Sequence, residues 1–450
     1  MPSGITSGEQ TAPSPPAPDF LLHHSQWLPS DRLQRCANRA SGGRAIAADG
    51  ASMKEALGRL ESSTSSRTAA IQATSEFGVS ATIHSLVMAA LSSLSRNETL
   101  FSPALTLWSN PARCAASDLS CFFSSLPSVA KAASATADFA GISPRLWQAF
   151  SEIWQGRKSA FASSVRDGLG ANASLLSLHS AMHPRLQASR HRTSALCRRQ
   201  AIKRCPRLVP VHFAATADEE LLLSKLPERW TRHGRFWVIS QALRFLTRPN
   251  AQLLHALRRA RADLRFTEHQ PVLALHVRKG DACRHRGECK GLAAFMPHVY
   301  RMVHQLGYRS VFLSTPSPEV ITEIALFPNI TWLHRKRNFA LQDALNSHGL
   351  RRLEDALLKR GLIDPVQEWQ DAMLDVYLMA ESEGLVAAFS SNAARLAYSL
   401  MTARAGGCIK PFISVDINWC FAFMRGGVNV IRRDSEPAKM AVGSAGSLTC

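Results

Sequence analysis

Short apolar runs alternate with longer helical patterns through the second half of this chain. Val272 to Leu275, Ser310 to Ser314, Ile330 to His334 and Leu385 to Phe389 read as strands. Each is too short for a helix and has an apolar centre, as strands covered on both faces do. Between and around them, Phe236 to Phe245, Ser317 to Leu326, Pro365 to Glu383 and Asn392 to Ala403 carry helical spacing. Two of these have Pro near the start, where its missing N–H is harmless. Strands alternating with helices predict a parallel sheet with right-handed crossovers. Leu208 to Phe213 could form one more strand, and Cys408 to Phe423 closes the domain.

Upstream the pattern weakens. Residues 1–140 are rich in Ala, Ser and Pro and open on the low-complexity run Thr11 to Pro18, so they are expected to be largely disordered. Only fragments such as Met53 to Glu61 suggest short helices. From Pro144, the residues Leu146, Trp147, Phe150, Ile153 and Trp154 recur on one helical face. An Arg-rich run from Arg190 to Arg204 reads as a solvated face. The expected organisation is a low-complexity region (1–140), a helical and α/β half (141–265), an α/β domain (266–424) and a tail (425–450).

Composition narrows the function. With 450 residues the chain can bury a sizeable core, and its formal charge of +19 favours acidic ligands or surfaces. Nucleic acid is a poor fit, because only four tyrosines are present and aromatics do not interleave with Lys or Arg. Cys283 with Cys289, and Cys408 with Cys420, bracket short loops without zinc-ligand spacing, which suits disulfides in an oxidising lumen. Cys36, Cys114, Cys121, Cys197, Cys205 and Cys450 suggest no pairing. The sequons at Asn97, Asn172 and Asn329 agree with a secretory route. Ala81 to Leu94, the best apolar stretch near the start, is interrupted by His84 and serines and is short of the roughly 20 residues a span needs. No signal anchor is visible.

The chemistry concentrates at two strand ends. In PVLALHVRKGD, from Pro271 to Asp281, a buried strand breaks into His276, Arg278, Lys279 and Asp281, and Gly280 permits a sharp turn. Ligands of open α/β sheets bind beyond the carboxyl ends of strands, so this tip suits an anion. In VAAFSSNAARLAYSL a strand runs into Ser390-Ser391 and then a helix, whose first-turn N–H groups attract phosphate. Ordinary N-capping by Ser391 would explain the same residues.

These two stretches, with HGRFWVISQALRFLTRPN upstream (His233 to Asn250), resemble in order and spacing the α1,6-fucosyltransferase family. That family includes the core fucosyltransferase of N-glycans and the rhizobial nodulation fucosyltransferases. It carries an HVRRTDK-type motif, a W-x-x-SQ…RP segment and a D…FSS…R-x-AY segment; the resemblance covers about residues 208–423. It implies a GT-B-like α/β fold of two Rossmann-type halves, the C-terminal one binding GDP-fucose. It implies transfer of fucose to a glycan hydroxyl with inversion, α1,6 to the core GlcNAc of N-glycans, with no metal and no cofactor. It also implies the Golgi lumen and membrane association. Other fucosyl linkages (protein O-fucosylation or α1,2) and a catalytically silent nucleotide-sugar or glycan binder are the alternatives.

Residue by residue, the resemblance puts the diphosphate on His276, Arg278 and the Ser390-Ser391 turn, with Lys279 beside them. Arg suits this task because its fork donates bidentately and stays charged. Asp375, at the family's interval before Ser391, would accept from guanine; a solvent-facing mid-helix carboxylate is the plainer reading. Arg395 would brace the site, and Ser240 and Gln241 would be structural. The family's catalytic Glu is missing. At its interval after Asp281 stands Arg286, and gap-free alignment of LAAFMPHVYRM puts Leu292 in its place. Glu288, held by a Cys283–Cys289 bridge, is the expected base, with Asp281 next and more suited to orienting Arg278. Ala282 replaces the family's Lys, and Ser314-Thr315-Pro316-Ser317-Pro318 replaces its acidic T-D-D-P element. These departures bear on the acceptor more than on the donor.

Overall fold

The computed structural model describes residues 43–59, 69–72, 79–101, 119–124, 207–209, 224–279, 290–337, 363–406 and 410–416, with isolated positions at 108, 110, 112–114 and 339. In chain order the elements are α1 (Gly43–Gly58), β1 (Ala69–Gln72), α2 (Val79–Arg96), β2 (Thr99–Phe101), β3 (Arg207–Val209), α3 (Glu228–Thr231), α4 (Arg235–Leu246) and α5 (Ala251–Asp263). Then follow β4 (Val272–His276), α6 (Met296–Leu306), β5 (Ser310–Ser314), α7 (Pro318–Glu323), β6 (Trp332–Leu333), α8 (Pro365–Glu381), β7 (Gly384–Ala387), α9 (Asn392–Arg404) and β8 (Phe412–Ser414).

The main sheet has five parallel strands in the order β6-β5-β4-β7-β8. Parallel pairing requires crossovers, and here helices supply them on both faces. The side-chain period of two sorts each strand cleanly. Val272, Ala274, Phe312, Leu385 and Phe412 enter the core shared with α2, α4, α5, α8 and α9. Leu273, Leu275, Val311, Leu313, Val386 and Ile413 enter a second core with α6 and α7. A smaller parallel sheet, β2-β1-β3, precedes it. The fold is thus α/β with parallel sheets flanked by helices.

The expected strands and helices recur with ends moved by a residue or a few, as fraying predicts. Two features add to the expected organisation. Within the low-complexity region, residues 43–58 and 79–96 are helices. Met53, Ile83, Leu86, Val87 and Leu91 are fully buried in the large core, which supplies the burial that a disordered segment lacks. And α4 and α5, assigned to the half ending at residue 265, share that core with β4, α8 and α9. Their contacts include Phe236 stacked 5.6 Å from Tyr398, and Arg244 Nη1 donating to the Ala403 carbonyl at 2.8 Å.

Cys114 and Cys121, which suggested no pairing, form a disulfide. Beside it Trp369 of α8 stacks on Phe122 at 4.8 Å and meets Trp108 edge-on at 5.5 Å. Asn97 and Asn329 are exposed. Among the described residues no helix is long and apolar enough to cross a membrane. The helix expected over Leu146 to Trp154, the Arg190 to Arg204 run, Asn172, the region 425–450 and the remaining cysteines lie outside the described residues.

Candidate active site

Following the chain outward from β4 to β5 and β6, then back across to β7 and β8, puts the reversal of strand order between β4 and β7. That is the switch point where open α/β sheets bind ligands, beyond the carboxyl strand ends. The row of residues at those ends is in register: His276 pairs with Ser314 on one side and Ala387 on the other, and Ala387 pairs with Ser414.

His276 is the hub. Its Nε2 lies 3.0 Å from Ser391 Oγ, and its Nδ1 lies 3.3 Å from Ser314 Oγ. Burial, reinforced by the Arg278 guanidinium and more weakly by Arg337, pulls its pKa from 6.5 down to about 3, while Ser314 opposes the drop. His276 is therefore neutral, so it offers one N–H and one acceptor rather than a charge. Arg278, the expected cation, is half-buried at the same tip. Its charge acts on both His276 and Glu368, which puts it beside the crevice.

Ser391 occupies the N-cap of α9 with extended backbone angles (φ −82°, ψ 125°), yet its side chain makes no capping bond. Its hydroxyl is turned to His276 instead, so plain capping does not account for it. The turn is not an open nest of amides, however. The Ser391 N–H donates to the Ala388 carbonyl at 3.0 Å, that of Phe389 to Ser414 Oγ at 3.2 Å, and that of Ser390 to Asp416 Oδ2 at 3.2 Å. A carboxylate from the β8 tip thus stands where the turn was expected to receive phosphate. Arg395 is fully buried one turn into α9 and donates to Asn392 Oδ1; its charge adds to burial in lowering the pKa of His84 on α2. It braces the helix start from behind.

Asp375 is not the solvent carboxylate of the plainer reading: it is 6% exposed. Its Oδ2 accepts from Ser314 Oγ at 3.3 Å, so the chain Ser391–His276–Ser314–Asp375 spans the crevice floor. Its Oδ1 accepts from Arg335 Nη1 at 2.8 Å, and Arg337 Nη1 reaches Oδ2 at 3.5 Å. Arg335 also holds the Asp371 side chain and carbonyl, and Arg337 holds Glu368. Burial alone would lower both arginines, but Asp375 and Asp371 at Arg335, and Glu368 and Asp375 at Arg337, outweigh it and hold them above their ordinary value. Burial raises the Glu368 carboxyl, with Arg337 opposing.

Lys279 does not join this group. Val277 enters the core on the α6–α7 face, and Lys279 pairs with Glu323 of α7 at 3.0 Å. The other Glu323 oxygen accepts from the Leu292 N–H at 2.8 Å. Leu292 itself is fully buried. Ser240 is buried in α4, and Gln241 lies against Gly50 of α1. Gly280, Asp281, Cys283, Glu288 and Cys289 fall outside the described residues, as do Cys408 and Cys420. Among the described residues no group of His, Cys, Asp or Glu could hold a metal ion.

Ser314, Arg335, Arg337, Glu368, Asp371 and Asp416 were missed from sequence. Two signals pointed to most of them. Arg335 and Arg337 alternate just past a strand, so both face one side. Glu368, Asp371 and Asp375 recur at helical spacing, so they share one face of α8.

At the switch point of a parallel α/β sheet, a histidine, a serine-led helix start and an arginine are thus brought together. In comparison with known proteins, residues 201–418 match Alpha-(1,6)-fucosyltransferase N- and catalytic domains, a family-level match over just under half of the chain. It is 24% identical over 186 residues to the Alpha-(1,6)-fucosyltransferase of Drosophila melanogaster, a stretch that takes in 40% of this chain and 27% of the fly protein's length. Among solved structures, NodZ alpha-1,6-fucosyltransferase co-crystallized with GDP superposes with a TM-score of 0.38 and 12% identity, over 78% of this chain and 96% of that one. A mutant of Arabidopsis thaliana FUT1 in complex with GDP gives 0.42 and 12%, over 86% and 78%. These superpositions are loose, and no residue correspondence follows from them.

Proposed function

We propose that this protein transfers fucose from GDP-fucose to a glycan hydroxyl with inversion, with the core GlcNAc of N-glycans as acceptor through an α1,6 linkage. The observation that carries the donor assignment is the 3.0 Å contact between His276 and Ser391 at the switch point, with Arg278 at the same strand tip. The arrangement is GT-B-like: the five-stranded sheet is the donor half, and the smaller parallel sheet belongs to the other.

Arg278 neutralises the diphosphate as charge develops on the leaving group, the step that fixed cations accelerate most. Neutral His276 and Ser390-Ser391 supply further hydrogen bonds, and Asp375 accepts from guanine at its remaining Oδ1 position. The protein needs no metal or other cofactor for this, because the guanidinium takes the place of a metal cation. A carboxylate then removes the acceptor's proton as the bond to fucose forms; Glu288 is assigned that role, with Asp281 orienting Arg278. The enzyme works in the Golgi lumen, in association with the membrane, on a glycoprotein acceptor.

The burial of Leu292, where the family has its Glu, favours one second reading: a nucleotide-sugar binder without turnover. Purified protein given labelled GDP-fucose and N-glycan acceptors separates the two. Fucosylated glycan, lost in Glu288→Gln, supports the transferase; binding without product supports the silent protein. Calorimetry with Arg278→Ala tests the crevice itself, and unchanged GDP affinity there would overturn the donor assignment.

A further inference from the structure

The ion network around Asp375 is costly to build. Two guanidiniums and three carboxylates are held with side chains no more than 13% exposed. Burying such charges is repaid only when geometry is good and further hydrogen bonds satisfy them. Here the geometry is specific. Arg335 sends one nitrogen to both Asp375 Oδ1 (2.8 Å) and the Asp371 carbonyl (2.9 Å), and the other to the Asp371 side chain. Gln367 Nε2 steadies Asp371 from the opposite side at 3.1 Å. Arg337 ties Glu368 to Asp375. A carboxylate has about four lone-pair positions; Arg335 takes one on Oδ1, and Ser314 and Arg337 take both on Oδ2, so Asp375 keeps one, on Oδ1. What it loses is freedom to rotate.

We propose that Arg335 and Arg337 are positioning residues: they lock the plane of the Asp375 carboxylate and so set selectivity for the nucleobase. This rests on the reading of the crevice as a guanine-nucleotide site. The fork matters as well as the charge. A lysine at 335 is a single point donor and cannot hold Asp371 and Asp375 in one plane. Sites that hydrogen-bond a ligand group reject analogues lacking it far better than apolar pockets do, provided the protein group is fixed.

The test is calorimetry on the full chain with three probes: GDP, IDP (which lacks the 2-amino group) and inorganic pyrophosphate. Wild type is expected to prefer GDP to IDP by about tenfold, the worth of one hydrogen bond to a charged group. In Arg335→Gln and Arg337→Gln that preference falls toward one, while pyrophosphate affinity stays within about twofold. Arg335→Lys, which keeps the charge if Arg335→Gln does not fold, lies between. A GDP:IDP ratio unchanged in Arg335→Lys and Arg337→Gln overturns the proposal, as does loss of pyrophosphate together with both nucleotides. Wild type that binds no GDP sinks the crevice assignment too. Wild type that binds GDP selectively, with variants equally selective, sinks this inference alone.

Discussion

Acidification should unfold this protein through two histidines. His276 and His84 are both buried, and burial, helped by Arg278 and Arg395 respectively, brings each from 6.5 to about 3. Unfolding restores the ordinary value, so between about pH 3 and 6.5 the unfolded chain binds protons that the native one refuses. Their stabilising contribution is complete above 6.5 and is lost as pH falls toward 3. At pH 5 each costs about 2 kcal/mol, from the 1.36 kcal/mol per pKa unit. Together they remove about 4 kcal/mol from a total that is typically 5–15. Glu368 works with the opposite sign: its raised pKa makes its contribution complete at low pH and lost as pH rises, so it cushions the acid end. Urea midpoints at pH 7.5, 6 and 5 read this directly. Below pH 6 the slope should approach two protons, about 3 kcal/mol per pH unit. His276→Gln and His84→Gln should each remove one proton from that slope. A midpoint at pH 5 equal to that at 7.5, or a double variant with the full slope, would refute the account.

Further outcomes follow from single contacts. A Cβ at Gly384 would stand 2.3 Å from the Tyr308 hydroxyl and 3.0 Å from its ring carbon; Gly384→Ala should therefore lose about 1–3 kcal/mol in thermal melts, as overpacked cores do. Trp369→Ala empties the aromatic cluster with Trp108 and Phe122 and should cost about 3–5 kcal/mol, read by denaturant midpoint. Asp416→Asn removes negative charge from the Ser390 amide, so GDP affinity should rise by calorimetry; an unchanged or weaker affinity would show that the carboxylate does not compete with phosphate. Glu323→Ala unties Lys279 and the Leu292 amide together and should destabilise by about 1–3 kcal/mol, the cost of stranding a partly buried donor.

The sheet was legible because its strands are covered on both faces: SVFLS and VLALH can be little else at their length. Helix α2 was not, for a related reason. A helix surrounded by others shows no polar stripe, and Thr82, His84 and Ser93 are buried among its apolar residues. They read as interruptions of an apolar run. His84 makes sense only beside Asn392 and Arg395, which no local pattern connects to it.

The site divides the same way. Each local feature was readable: a strand ending in His276, a strand ending at Ser390-Ser391, an aspartate on a helix. Their meeting depends on strand order. The chain runs from β4 out to β6, then returns to lay β7 against the free side of β4. Had β7 added beyond β6 instead, Ser391 would lie two strands, roughly 10 Å, beyond β5, and could not reach His276. The same return brings α8 over the tips of β5 and β6, so that the acidic stripe from Glu368 to Asp375 meets Arg335 and Arg337. A hydrogen-bonded chain from Ser391 to Arg335 is therefore a property of topology, and a substitution at Ser314, the link between His276 and Asp375, should disturb the Ser391 and Arg335 ends of that chain at once.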